Sequence, residues 1–249
     1  MVELAIIGGT GLTSLSGLEI VRREVAYTPY GEPSGFLTHG KLAGREVVFL
    51  PRHGYAYTIP PHLVNYRANI WALKSIGIRR VLAIAAVGGI RDNMQPGWIA
   101  FPDQIIDYTY GRAHSFFELD SKSVTHVDFT HPYDVSLREQ LIAAAESANL
   151  QFVTKGTYGA TQGPRLETAA EISRIERDGC DLVGMTGMPE AALAREQNLA
   201  YACCAVITNR AAGKSHEDIH AEIEIYLKRG MDQVRKLLQT LLESDWQGC

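Results

Sequence analysis

Apolar residues along the chain fall into short blocks separated by stretches with helical spacing. The blocks at 4–7, 46–50, 81–86, 99–108, 151–161, 181–185 and 201–208 predict strands, because runs of this length suit a sheet covered on both faces. Between them, Val64, Ala68, Trp71, Ala72 and Ile76 recur at helical spacing after Pro60-Pro61, a dipeptide that suits a helix start. Further helices are predicted to begin near Asp134, Thr168 and Pro189. From about Asp218, the residues Ile219, Ile223, Tyr226, Leu227, Val234, Leu237, Leu238 and Leu241 outline one apolar face of a long final helix. Strands alternating with helices predict an α/β fold, with a mixed, twisted β-sheet flanked by helices. No repeat, low-complexity tract or linker divides the chain, so one domain over 1–249 is expected.

Composition narrows the function classes. With 249 residues, 46% of them hydrophobic, the chain can bury a sizeable core without crosslinks or metal. Lys and Arg number 24 against 28 Asp and Glu, and neither sign forms a long run. That balance argues against nucleic acid or an anionic membrane as a partner. The apolar runs are far shorter than the roughly 20 residues of a bilayer span, and the first residues lack the pattern of a signal peptide. Cysteines stand at 180, 203, 204 and 249 without Cys-x-x-Cys or zinc-ligand spacing. They read as free thiols, with Cys203 and Cys204 in an apolar run, and the expected compartment is the cytoplasm.

The chemistry-bearing residues cluster where predicted strands end, which is where α/β sheets carry their sites. These are Gly8-Gly9-Thr10-Gly11, Arg52-His53-Gly54, Ala86-Val87-Gly88-Gly89, Thr186-Gly187 and Asn209. The first is no dinucleotide fingerprint, because Ser14 stands where the third glycine is needed. Gly213-Lys214-Ser215 has the tail of a phosphate loop, but Thr208 replaces its first glycine and no strand-end Asp is available for magnesium. Arg52 offers charge-assisted planar donors, and Thr10 and Thr186 offer hydroxyls that can converge with it on one anion. Glu167 precedes a helix start, where an acid either complements the helix dipole or faces a ligand. Asn209 presents a donor and an acceptor together, which matches a purine edge.

Taken together, these segments resemble the trimeric purine nucleoside phosphorylase and methylthioadenosine phosphorylase family across essentially the whole chain. The resemblance rests on Ile6-Ile7-Gly8-Gly9-Thr10-Gly11-Leu12, Arg52-His53-Gly54, Val64-Asn65-Tyr66-Arg67-Ala68-Asn69, Gly163-Pro164-Arg165 and Gly184-Met185-Thr186-Gly187-Met188-Pro189-Glu190 occurring in order. It implies a homotrimer with sites at subunit contacts. It also implies a reaction needing no metal or organic cofactor, with inorganic phosphate as co-substrate and a nucleoside as the other small-molecule partner. Carried over by position, Thr10, Arg52, His53, Ala85, Ala86 and Thr186 would hold phosphate, Ala85 through its backbone only. Met185 would lie beside the ribose, Glu167 and Asn209 would grip the base as the catalytic pair, and Arg210 and Ala211 would take part in substrate binding.

Two positions bear on substrate choice. Adenosine-type relatives place Asp at the positions of Asn209 and Ala211, whereas the pair Glu167 and Asn209 resembles the 6-oxopurine phosphorylases. A Glu167 carboxylate accepts the N1–H of hypoxanthine and meets the bare N1 of adenine with lone-pair repulsion. Relatives that act on free 5′-hydroxyls place His at the position of Ile223, where isoleucine offers a methylthio group an apolar wall. His126 matches a loop that relatives lend to the neighbouring subunit and is expected to close the same pocket. The expected reaction is phosphorolysis of S-methyl-5′-thioinosine. Its alternatives are general 6-oxopurine nucleoside phosphorolysis and methylthioadenosine phosphorolysis.

Overall fold

A computed structural model describes residues 4–117 and 125–244; Met1, Val2, Glu3 and Cys249 lie outside the described residues. The chain runs β1 (Leu4–Gly8), β2 (Glu19–Glu24), β3 (Leu37–Leu42), β4 (Arg45–Pro51), α1 (Tyr66–Ser75), β5 (Arg80–Gly89), β6 (Ile99–Ala100) and β7 (Gln104–Asp107). It continues through α2 (Val135–Ser147), β8 (Phe152–Val153), β9 (Thr157–Ala160), α3 (Ala169–Arg177), β10 (Leu182–Gly184), α4 (Gly187–Glu196), β11 (Ala200–Arg210) and α5 (Ile219–Glu243).

The strands form one mixed sheet in the order β2-β3-β4-β1-β5-β10-β9-β7, with β11 lying along β5 and carrying β6 and β8. Side-chain alternation along the central strands divides the core into two layers. Ala5, Ile7, Val81, Ala83, Tyr201 and Cys203 pack with Ile70 and Leu73 of α1 and Leu193 of α4 on one face. Leu4, Ile6, Leu82, Ala202 and Cys204 pack with Leu141 of α2 and Val234 and Leu238 of α5 on the other. Adjacent cysteines therefore face opposite layers, and burial pushes the Cys203 thiol up to about 12.

Helices α1, α2, α3 and α5 begin where side chains satisfy their first amides, whereas Thr186 at the start of α4 makes no such bond. Asn65 accepts from the Ala68 N–H, Asp134 from Leu137 and Asp218 from Ala221. Thr168 and Glu171 form a reciprocal capping box at the start of α3. The Glu167 side chain takes no part in that cap.

Two blocks read as single strands are each broken in the structure. The 99–108 run divides into β6 and β7 around Pro102, which has no amide to donate, and Arg138 takes the carbonyls of Phe101 and Pro102. The 151–161 run divides into β8 and β9, with the Gly156 amide bonded to the Asp103 carboxylate between them. At these breaks the chain passes from the β11 branch of the sheet to the β10 branch.

The sheet opens at one place. The Arg80–Ala83 half of β5 pairs in parallel with β1, while Gly88 and Gly89 pair antiparallel with β10. Among the described residues, 84–87 between them pair with β11 alone. The carboxyl ends of β1, β4 and β11 lie beside this gap. Because β10 runs against β5, its own carboxyl end returns over the gap from the other side.

Candidate active site

The gap leads into a cavity of about 560 Å³. Its wall includes Thr10 from the turn after β1, Arg52 and His53 after β4, Ala85 and Ala86 from the unpaired stretch of β5, and Thr186 after β10. Close approach of the β1 turn requires Gly9, where a Cβ would stand 2.6 Å from the Ile84 carbonyl oxygen and 2.9 Å from Arg52 Nη1. The Nδ1 of His53 lies 2.8 Å from the Ile59 carbonyl, so it carries the proton and leaves Nε2 as the acceptor nitrogen of a buried ring. Burial, with the Arg52 guanidinium beside it, holds the His53 pKa below its ordinary 6.5. Thr10 Oγ1 is 2.7 Å from the Tyr57 hydroxyl.

Arg52 departs from the expected geometry. Its Nε and Nη2 donate to the two oxygens of Glu190 at 2.7 and 2.8 Å, and Nη1 donates to the Ile84 carbonyl at 2.9 Å. The fork assigned to phosphate is thus occupied by a carboxylate, and Tyr201 donates to that same carboxylate at 2.8 Å. The cause is burial: Arg52 is 1% and Glu190 0% exposed, and a guanidinium this deep requires a counter-charge. Burial alone would lower the Arg52 pKa; the Glu190 charge and hydrogen bonds outweigh it and raise it. Each Nη keeps one N–H beyond these bonds, which is what Arg52 retains for the cavity.

The same cavity is also lined by Glu167, Asn209, Met185, Ala211 and Ile223. Thr161 Oγ1 donates to Glu167 Oε1 at 2.6 Å, which orients the carboxylate and leaves Oε2 without that partner. Thr208 Oγ1 donates to Asn209 Oδ1 at 2.9 Å, and Asn209 Nδ2 donates to the Arg210 carbonyl at 2.8 Å. One amide N–H of Asn209 remains beyond these bonds. Ile223 comes from the second turn of α5, and the start of this helix is tied to β11 by the Glu222 carboxylate accepting the Arg210 N–H at 3.0 Å.

Arg210, expected at the site, stands elsewhere. The Arg210 guanidinium donates to the carbonyls of Arg91 and Asp92 at 2.8 and 3.2 Å and does not line the cavity. Neighbouring residues on a strand point to opposite faces, so Asn209 facing in leaves Arg210 facing out. His126 is exposed and absent from the cavity wall of its own chain. Residues to which the sequence reading gave no part in the site include Tyr57, Thr161, Glu190 and Thr208. Of these, Thr161 and Thr208 carried a usable signal, a hydroxyl at the end of an apolar block.

A family model described as the phosphorylase superfamily matches residues 3–243. A protein of Pseudomonas syringae pv. tomato named a probable S-methyl-5′-thioinosine phosphorylase is 55% identical, covering 98% of this chain and 100% of its own. The 6-oxopurine nucleoside phosphorylase of Pyrococcus furiosus is 44% identical over 97% of this chain and 92% of its own. Among solved structures, methylthioadenosine phosphorylase from Schistosoma mansoni in complex with tubercidin superposes with a TM-score of 0.90 at 32% identity, covering 97% of this chain and 91% of that one. With likeness running through sequence and fold alike over nearly the full length, the chain belongs to the phosphorylase superfamily.

Proposed function

We propose that the chain catalyses reversible phosphorolysis of S-methyl-5′-thioinosine to hypoxanthine and 5-methylthioribose 1-phosphate. The observation that carries this reading is one cavity bounded by an oriented acid and amide, an isoleucine, and a corner of hydroxyls with a neutral imidazole. Glu167 Oε2 accepts the N1–H of a keto-purine. The remaining N–H of Asn209 donates to N7 as charge builds on the departing base. The apolar Ile223 side chain accommodates a methylthio group and offers a 5′-hydroxyl no hydrogen-bond partner. Names of the relatives support both halves of the assignment.

The chemistry follows from charge. Breaking the glycosidic bond leaves an oxocarbenium-like sugar, which the phosphate dianion both stabilises and attacks. Arg52 is balanced by Glu190 and His53 is neutral, so the corner holds phosphate chiefly by hydrogen bonds and leaves its charge for the sugar cation. No covalent enzyme intermediate is formed. We further propose a cytoplasmic homotrimer in which His126 reaches the neighbour's cavity; the buried free thiols at 180, 203 and 204 suit a reducing compartment.

The test is release of free base from S-methyl-5′-thioinosine, inosine and methylthioadenosine with and without phosphate, with the oligomer measured by light scattering. Phosphate-dependent turnover that is fastest on S-methyl-5′-thioinosine is expected. Equal efficiency on inosine would overturn the role of Ile223, and phosphate-independent release would overturn the reaction.

A further inference from the structure

We infer that Arg112 is the positioning residue that sets the three walls of the cavity relative to one another. It lies between β7 and α2, is 8% exposed, and belongs to none of the motifs on which the family resemblance rests. Its Nη2 donates to the carbonyls of Thr161 and Gln162 at 3.3 and 2.8 Å, and its Nε to the Gln162 side-chain oxygen at 3.2 Å. Its Nη1 donates to the carbonyls of Met185 and Met188 at 2.9 and 2.6 Å and lies 3.3 Å from the Tyr66 hydroxyl. Tyr66 in turn donates to the Pro61 carbonyl at 2.8 Å, and the guanidinium sits 5.5 Å from the centre of its ring.

The acceptors fall in three parts of the site: Thr161 with Gln162, Met185 with Met188, and Tyr66, which passes the connection on to Pro61. Thr161 carries the hydroxyl that orients Glu167, Met185 and Met188 flank Thr186, and Pro61 is itself in the cavity wall. Irregular backbone of this kind leaves carbonyls without a ladder partner, and a planar cation with five donors can satisfy several at fixed angles. A lysine offers three donors at one point and cannot span the same set. Arg112 therefore fixes the distance from the base-reading carboxylate to the threonine at the anion corner, a separation that catalysis by positioning depends on.

This rests on the phosphorolysis reading above, so unmodified protein is assayed alongside on the same nucleosides. If that reading fails, the unmodified chain releases no base from these nucleosides with phosphate; if only the present inference fails, the unmodified chain is active. Arg112→Ala is compared with Arg112→Lys and Gln162→Leu for KM, kcat and melting temperature, and Arg112→Ala is also assayed with added guanidinium chloride at tens of millimolar. The expected result is a folded Arg112→Ala protein whose kcat/KM falls at least 30-fold. Guanidinium should restore part of that activity, while sodium chloride at equal ionic strength and the lysine variant should not. Gln162→Leu, which leaves the cation in place, is expected to lose several-fold in kcat/KM with little change in melting temperature. Wild-type kcat/KM in a folded Arg112→Ala protein overturns the inference. A loss that guanidinium does not reverse, with Gln162→Leu equal to wild type, also overturns it and leaves Arg112 a structural residue. Should Arg112→Ala fail to fold, Gln162→Leu decides alone, and unchanged kinetics there overturn the inference.

Discussion

Replacing Glu167 with glutamine separates the orientation of the base-reading group from its charge. In the native site Thr161 donates to Glu167 at 2.6 Å, and its other acceptor, the Gly184 carbonyl, is farther at 3.2 Å. If Thr161 keeps donating in Glu167→Gln, it binds the amide oxygen and turns the NH₂ toward the ligand. The NH₂ then opposes the N1–H of hypoxanthine and complements the bare N1 of adenine. A hydrogen bond to a charged group contributes about 1.5–3 kcal/mol, so kcat/KM on S-methyl-5′-thioinosine should fall roughly 10- to 150-fold, at about 1.4 kcal/mol per decade. Activity on methylthioadenosine should rise. Adding Thr161→Val frees the amide to turn over, so the double variant should recover part of the loss, a non-additivity on the order of 1 kcal/mol. Initial rates on the two nucleosides at saturating phosphate, for the four members of the cycle, measure it. An unchanged substrate ratio in Glu167→Gln, or strict additivity with Thr161→Val, would refute the orienting role of Thr161.

The remaining expectations test other parts of the same cavity. Ile223→His supplies a donor for a 5′-hydroxyl and removes apolar contact worth about 1.5 kcal/mol at ~25 cal/mol per Å² over ~60 Å²; the ratio of methylthioinosine to inosine turnover should drop at least tenfold, and an unmoved ratio counts against the assignment. Glu190→Gln leaves Arg52 buried without its counter-charge, at about 3–5 kcal/mol, which should lower the melting temperature by roughly 10 °C in a chain of this size; a shift of only a degree or two in calorimetry rejects the pairing as a structural element. His53 should be neutral and protonated on Nδ1 at pH 7, as read by ¹⁵N chemical shifts. Because its folded pKa lies below its unfolded 6.5, the stability linked to it is present at higher pH and is lost as pH falls below 6.5. A titration midpoint above 6.5 contradicts this.

Legibility in the sequence followed the range of the interaction. The central strands could be read because both faces are buried and their residues are apolar, as in Leu4–Gly8 and the 201–207 stretch of β11. β2 could not: its Glu-Ile-Val-Arg-Arg-Glu sequence lies on the sheet edge and is almost wholly exposed, so no alternation marks it. β3 contains Thr38, His39 and Gly40 and owes its strand form to its pairing with β4. The same distinction governs the site. Thr10, His53, Glu167, Asn209 and Thr186 stand beside strand ends or helix starts, which local pattern marks. Their partners do not: Glu190 is 138 positions from Arg52, and Arg112 is about fifty from Thr161 and over seventy from Met185. A ligand-facing group needs a local turn to present it and leaves a local trace, whereas a group that orients it needs only spatial proximity. The structure therefore adds most in the layer behind the ligand. There it converts Arg52 from a free fork into half of a neutral pair, a change in the charge of the corner proposed to hold phosphate that no reading of residue 52 alone contains.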